Sequence, residues 1–469
     1  MVDEKDVPGN TKADILNSLA KEYGITVVSI QDVEALGQQT ERPYNVPRPD
    51  DITTINYTSG TTGPPKGVVL THANAVAACS SSLSLIKQGT GDVMCSYLPL
   101  AHIFERVSEG AALWAGTSIG YFHGNILELT DDLKLLKPTS FISVPRLFNR
   151  FGAGIKASTE EKPGLGGALS RHIIKTKMAT MMDPDPAKAT NKHRFYDSWW
   201  SPKITSAFGL QRTRAMVSGS APIDPSLHRF LRVTFGNEFL QGYGLTETYA
   251  VSLAQFEGDM SVGNCGAVAP VSELCLFDVP DMEYHATDMP YPRGELCIRG
   301  STLFKGYYRN NEETAKAMTS DGWFKTGDIA SVDELGRFKI IDRRKNVLKL
   351  AQGEYISPER IENVYLGNIS YLAQAYVHGD SDKAFLVSIF GIMPDGFAPF
   401  ASKIIGTEIS ATDYPALSAA AKDDKVVKAV MRDLERVGKK NKFNNYERVR
   451  ATTLLLEPFT IENELLTPT

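Results

Sequence analysis

Ile55–His72 reads INYTSGTTGPPKGVVLTH, a Gly/Ser/Thr loop with one lysine between two β-rich runs. A Walker A loop needs glycine directly before the lysine, Ser or Thr directly after it, and a helix next. Here Pro65 precedes Lys66, Gly67 follows it, and the next run, GVVLT, is β-branched. The expected order is therefore strand, loop, strand. A helix starts only near Thr71–Asn74, with Thr71 as its cap. Thr58, Ser59, Thr61 and Thr62 supply hydroxyls. The backbone around Gly60 and Gly63 can approach a ligand closely and form an anion nest. A phosphate-holding loop and a flexible hairpin with a solvated lysine both remain open at this point.

The chain has 469 residues, too many for one ordinary domain. A formal net charge of −5 gives no sign of nucleic-acid binding. Cys79, Cys95, Cys265, Cys275 and Cys297 form no CxxC pair, which argues against a metal or disulfide framework. No apolar run reaches membrane-spanning length. The polar, acidic N-terminus is unlike a secretory signal. The expected location is intracellular: cytoplasmic, or peripheral on the endoplasmic reticulum, lipid droplets or another organelle membrane.

Along the chain, Lys12–Tyr23 reads as a helix, Ile25–Ile30 (ITVVSI) as a buried strand, and Ser29–Gly37 as another helix start. The chain thus reads as beginning inside an α/β unit. Residues 68–150 alternate helix and strand signals, as in a layered α/β fold with parallel strands. Residues 152–206 are polar, basic and broken by Gly and Pro. They read as a solvated surface insertion, with a membrane-surface contact through lysines, Trp199 and Trp200 as the alternative. The α/β pattern resumes at Arg214. Residues 262–310 are strand-rich, suggesting a β-barrel-like subdomain, and a hairpin is expected around Asp333–Gly336. Ser357 and Pro358 open a helix in what reads as a small α+β domain. The expected division is 1–342 and 346–469, with a hinge at 342–345.

Three further segments carry chemistry. GYGLTETY, Gly242–Tyr249, suggests strand, Gly turn and helix N-terminus, an anion-favouring arrangement. Thr246 there can donate to phosphate, and Glu247 can share Mg²⁺ with phosphate oxygens. A capped helix with an acidic first turn fits as well. In KTGDIA, Asp328 can accept from both ribose hydroxyls; in IDRRKN, Arg343 can pair with ribose or phosphate. Taken singly, either is also read as a structural ion pair.

These segments, with LPLAHIFERV, VSGSAPI, VPDMEY and GELCIRGSTLFKGYY, make the chain resemble the adenylate-forming superfamily. Within it, the chain resembles eukaryotic, fungal long-chain fatty acyl-CoA synthetases from about Asp51 to Thr469. The resemblance implies a large N-terminal portion, a small mobile C-terminal domain and a two-step reaction. A fatty acid attacks the ATP α-phosphate, giving acyl-AMP and pyrophosphate; the thiol of coenzyme A then takes the acyl group and releases AMP. It implies that Lys66 and the loop Thr58, Ser59, Gly60, Thr61, Thr62 and Gly63 hold phosphates. It implies that Gly219, Ser220, Ala221 and the run Gln241, Gly242, Tyr243, Gly244 flank adenine. Thr246 would touch phosphate, Glu247 would hold Mg²⁺, and Asp328 and Arg343 would hold ribose. His102 would edge the acyl pocket, Lys345 would be the hinge, and Lys349 and Gly353 would face coenzyme A. Against the family pattern, an N-terminal region and a lysine-bearing C-terminal stretch are expected to be missing. A catalytically impaired nucleotide-binding fragment is therefore the second reading, and a peptide-synthetase adenylation domain the third.

Overall fold

The computed structural model describes residues 12–40, 42–58, 65–185, 187–344, 346–351, 354–380 and 382–460, with 463 and 465. The chain divides into two compact units, Met1–Arg48 and Pro49–Thr469. In the first, helices span Lys12–Glu22 and Ile30–Gln39, the second closed by a capping box between Ser29 and Asp32. The ITVVSI segment is not the buried strand expected. Ile25–Ser29 is irregular, with Ile25 and Val28 exposed. A β-branched run becomes a strand only where a ladder partner and a buried face exist, and none of the described strands pairs with it.

The second unit is built on a seven-stranded sheet. Its order is Ser118–Tyr121, Val93–Ser96, Ser140–Ser143, Ala215–Ser218, Glu238–Tyr243, Leu253–Ala254, Ala267–Val268. The first five strands are parallel and the last two antiparallel. The parallel strands are short apolar runs such as SFIS and AMVS, as burial on both faces requires. Helices Ile103–Ala115, Leu129–Leu136 and Pro225–Phe235 lie between them in sequence. Three sequence-predicted segments follow the C-terminal ends of parallel strands: His102 after Ser96, Gly219–Ser220 after Ser218, and Gly244–Glu247 after Tyr243. Open α/β sheets bind their ligands at these ends.

Residues 152–206 are not a solvated excursion. They finish helix Pro145–Ser158, form helix Gly164–Met181 and enter helix Trp200–Ala207. Phe151, Ile155, Ile173, Ile174, Met181 and Trp200 join the core that also holds Phe141, Phe230 and Phe239. The apolar side chains are spaced for one helix face each, and the polar majority that dominates the composition covers the other. With Trp200 buried, the suggested membrane contact loses one of its two tryptophans.

Two antiparallel sheets complete the site-bearing part. Ile52–Thr58 and Lys66–Thr71 pair as the predicted hairpin, extended by Gly306–Tyr307, and Thr71 caps helix His72–Leu85. The strand-rich stretch forms a four-stranded sheet of Ser272–Phe277, Arg293–Gly300, Phe324–Val332 and Phe338–Arg343. The expected hairpin around Asp333–Gly336 joins its last two strands and sets Asp328 opposite Arg343.

From Leu350 the chain packs a separate apolar cluster. Ile361, Tyr365, Phe390, Phe397, Leu417, Val430 and Phe443 belong to it. Strands Leu372–His378, Leu386–Ile392 and Val449–Leu455 form its sheet. Helix Pro358–Asn368 starts at Ser357 and Pro358, as predicted. Helix Asp424–Lys440 buries Val426, Ala429, Val430, Leu434 and Val437, an amphipathic stripe. Among the described residues no helix is long and apolar enough to cross a membrane.

Candidate functional site

A cavity of about 980 Å³ lies where the three sheets of this part meet, with walls drawn from positions between Thr58 and Tyr355. Thr58, Lys66, His102, Gly219, Ser220, Gln241, Gly242, Gly244, Thr246, Glu247, Asp328 and Arg343 all line it. Among the described residues, Ala221 and Tyr243 stand beside that wall without forming it. Ser59, Gly60, Thr61, Thr62, Gly63, Lys345 and Gly353 lie outside the described residues, as does the side chain of Lys349.

Around Lys66 the cavity wall is a chain of contacts. Lys66 Nζ donates to Glu313 Oε2 at 2.5 Å and sits 5.0 Å from the centre of the Tyr307 ring. Tyr307 donates its hydroxyl to Glu247 Oε1 at 2.8 Å. Hydrogen bonding from Lys66, with further help from Lys316, pulls Glu313 down to about 2. Burial pushes Glu247 up, opposed by the Tyr307 hydroxyl and by the charges of Lys66 and Arg343. Sequence reasoning missed Tyr307 and Glu313. Tyr307 stood inside a quoted motif without a role, and Glu313 meets Lys66 only through the pairing of Gly306–Tyr307 with the lysine's strand.

One predicted element is corrected here. Thr246 and Glu247 do not open an α-helix; Thr246–Thr248 is a single 3₁₀ turn, closed by Tyr249 in the left-handed region at φ 49°. The Leu245 carbonyl is used by Thr248 and Ala250, which fold the chain back toward the next strand. A turn this short has no macrodipole to offer, so any attraction for anions comes from local donors and Lys66.

The wall around Asp328 also differs from simple expectation. Asp328 is buried and accepts a hydrogen bond from Tyr243 at 2.6 Å, while Arg343 Nε lies 3.7 Å from its other oxygen. Burial and the Asp328 charge hold the Tyr243 phenol well above its ordinary range, fixing it as a donor. Arg344, which received no role from the sequence, pairs with Asp281 at 2.7 and 2.9 Å and lies 3.5 Å from Glu295. Tyr355 closes the same corner by donating to the Asp281 carbonyl. Ser220 adopts φ 72° without being glycine, a strained conformation of the kind that collects at functional sites.

Beyond His102 the cavity continues as an apolar arm. Helix Ile103–Ala115 contributes Phe104, Val107, Ser108 and Ala111, one face at helical spacing. Ser82, Leu85 and Ile86, at the end of the facing helix, line the other side. His102 caps its own helix, its ring accepting the Phe104 N–H at 3.2 Å, and stands 3.5 Å from the Ser220 hydroxyl.

A polar seat with carboxylates and a lysine, opening into an apolar arm, suits a phosphate-bearing ligand joined to an apolar one. Comparison with known proteins agrees with that geometry. A family profile described as AMP-binding enzyme matches residues 4–308. The chain belongs to the AMP-binding enzyme family. Among its relatives in this family is "Acyl-CoA ligase 891, peroxisomal" of Penicillium brevicompactum, 60% identical over 468 residues. That match covers 100% of this chain and 66% of the relative. "Long chain acyl-CoA synthetase 7, peroxisomal" of Arabidopsis thaliana is 41% identical, over 97% of this chain and 63% of the plant protein. The chain therefore spans just under two thirds of the length of these curated relatives. Of solved structures, the adenylation domain of a carboxylate reductase from Mycobacterium chelonae superposes with a TM-score of 0.75 at 28% identity. It covers 97% of this chain and 63% of its own length. This AMP-binding enzyme thus has the α/β architecture of adenylation domains, with the cavity at its centre.

Proposed function

We propose that this AMP-binding enzyme is a long-chain fatty acid–CoA ligase, converting fatty acid, ATP and coenzyme A to acyl-CoA, AMP and pyrophosphate. The observation that carries the reading is the single cavity in which Lys66, Thr246, Glu247, Asp328 and Arg343 adjoin an apolar arm behind His102 and Phe104. The relatives' names point the same way. Joining a carboxylate to the ATP α-phosphate brings anions together, so the chemistry depends on positioning and charge neutralisation. Lys66 is assigned the β- and γ-phosphates; to reach them it must leave Glu313. Thr246 offers a hydroxyl. Asp328 accepts from ribose, with Tyr243 and Arg343 holding the carboxylate in place. The fatty acid lies along the apolar arm with its carboxylate toward His102.

Magnesium fits this seat only as an ion shared with ATP. Glu247 is one hard oxygen ligand facing the cavity, and Mg²⁺ is usually bound by one or two carboxylates with phosphates and water. When bound, it would neutralise phosphate charge. Among the described residues no group of three or more His, Cys, Asp or Glu gathers to hold a metal by itself. For the thioester step, Lys349 and Gly353 are assigned to the coenzyme A side, with a hinge at 342–345. The separate apolar cluster that begins at Leu350 supports a small domain able to turn about that hinge. The relatives' printed names favour a peroxisomal setting, which imaging of the tagged protein would test.

The deciding experiment is ATP-dependent consumption of coenzyme A over a panel of fatty acids from short to very long, with AMP and pyrophosphate measured together. Turnover greatest on long chains is the expected result. ATP binding with no turnover on any acid would favour the impaired nucleotide-binding fragment. Turnover with amino acids instead would overturn the proposal.

A further inference from the structure

Helix Ile103–Ala115 has a second buried face, away from the cavity. Glu105 is 1% exposed and Glu109 8%. One turn apart, they share a helix face. Ser96, ending the adjacent strand, donates to Glu109 Oε1 at 2.7 Å. Glu105 Oε1 is buried with no hydrogen-bond partner, although the carboxyl as a whole draws weakly on Ser96 and the Tyr97 N–H. The titratable groups that feel Glu105 are Cys95 and Tyr97 from the strand side, and Cys95 in turn feels Asp132 from helix Leu129–Leu136. The Tyr97 hydroxyl is engaged with Ser143 at 2.6 Å. Arg106, the next residue on the helix, acts on Tyr249 instead. Among the described residues, no ion pair is formed with either glutamate.

A carboxylate buried one helical turn from a second one ionises at a cost, so the neutral form of Glu105 is favoured. Burial, against an opposing hydrogen bond from Ser96 and with repulsion from Glu109, pushes Glu105 up to about 7, the Tyr97 N–H offsetting a little of the rise. The same helical turn builds the cavity wall. His102 caps it, and the Phe104 ring lies so close to Gly219 that a Cβ there would come within 2.9 Å. Any motion of this turn is therefore transmitted to both residues that guard the apolar arm.

We propose that Glu105 is a positioning residue held as the neutral acid. Its ionisation displaces the start of helix Ile103–Ala115, with His102 and Phe104, and loosens the hold on the fatty acid. The kinetic part rests on the ligase reading; the proton-holding part does not.

The test compares the native 469-residue chain with Glu105→Gln, an isostere that is always neutral, and with Glu109→Gln. Melting temperatures are measured from about pH 5.5 to about pH 8.5. A raised folded pKa stabilises at low pH and stops doing so as pH rises through it. The native chain should therefore lose stability relative to Glu105→Gln through neutral pH, with the gap level above about pH 8. KM for a fatty acid should rise about tenfold between about pH 6 and about pH 8 in the native chain, as the neutral fraction falls. It should stay flat in Glu105→Gln, with KM for ATP unaffected in both. Parallel melting profiles would overturn the proposal. So would profiles flattened by Glu109→Gln but not by Glu105→Gln, or fatty acid and ATP KM values that move together. If no acid is turned over, the ligase reading fails, and the melting comparison still decides whether Glu105 holds a proton. Should Glu105→Gln fail to fold, the infrared band of a neutral carboxylic acid in the native chain decides. Its disappearance through neutral pH supports the proposal, and its absence at low pH ends it.

Discussion

At the residue scale, Lys66 is held in two ways at once, by the Glu313 carboxylate and by the Tyr307 ring. Half-exposed ion pairs add little stability, so Lys66→Ala should leave the melting temperature almost unchanged. Pyrophosphate exchange should fall by about 10²–10³, the usual consequence of losing one preorganised charge. Unchanged exchange would remove Lys66 from the phosphate role. Tyr307→Phe should behave differently. It takes the phenolic donor from the half-buried Glu247 carboxylate, which costs about 1–3 kcal/mol in denaturant unfolding. Thr246, Glu247, Asp328 and Arg343 were legible in the sequence because each sits in a short run whose residue types suit phosphate, metal or ribose. Glu313 was not, because it lies 247 positions from Lys66 and is brought there by strand pairing. Arg344 was passed over for a related reason: its partners Asp281 and Glu295 come from other parts of the chain.

At the element scale, the strand–loop–strand reading around Lys66 held because β-branched residues flank the loop on both sides. The helix expected at Thr246 failed because Ala250 and Thr248 fold back on Leu245 after one turn. Composition also misled over residues 152–206, where average polarity hides apolar residues spaced at helical intervals. Gly209, three residues past that region, gives a direct check on how firmly it is anchored. Its φ is 73°, and a Cβ would lie 2.2 Å from the Leu133 backbone. Gly209→Ala should therefore destabilise the chain by more than about 2 kcal/mol. A loss below half a kcal/mol, typical of surface positions, would mean that the region is as loosely attached as its composition suggests.

At the scale of the whole molecule, an apolar cluster from Leu350 to Leu454 begins near the change of sequence character after Lys345, within the one compact unit Pro49–Thr469. Strand order in the seven-stranded sheet was not legible, since short apolar runs carry no record of their neighbours. Because the clusters are separate, calorimetry should resolve more than one transition. Saturating MgATP should raise the transition of the cavity-bearing part by about 2.7 kcal/mol at a hundredfold excess over Kd. A single transition displaced as one would show the clusters to be thermodynamically fused. The cavity walls, drawn from positions as far apart as Thr58 and Tyr355, have a consequence for inheritance. No shorter stretch can be transplanted with the nucleotide seat intact. A gene fusion or recombination joint inside that interval breaks the seat, whereas a crossover just after Tyr355 passes it on whole. Shuffled descendants of such a gene keep the seat, provided the incoming C-terminal end repacks against Leu350 and the strand that stay behind.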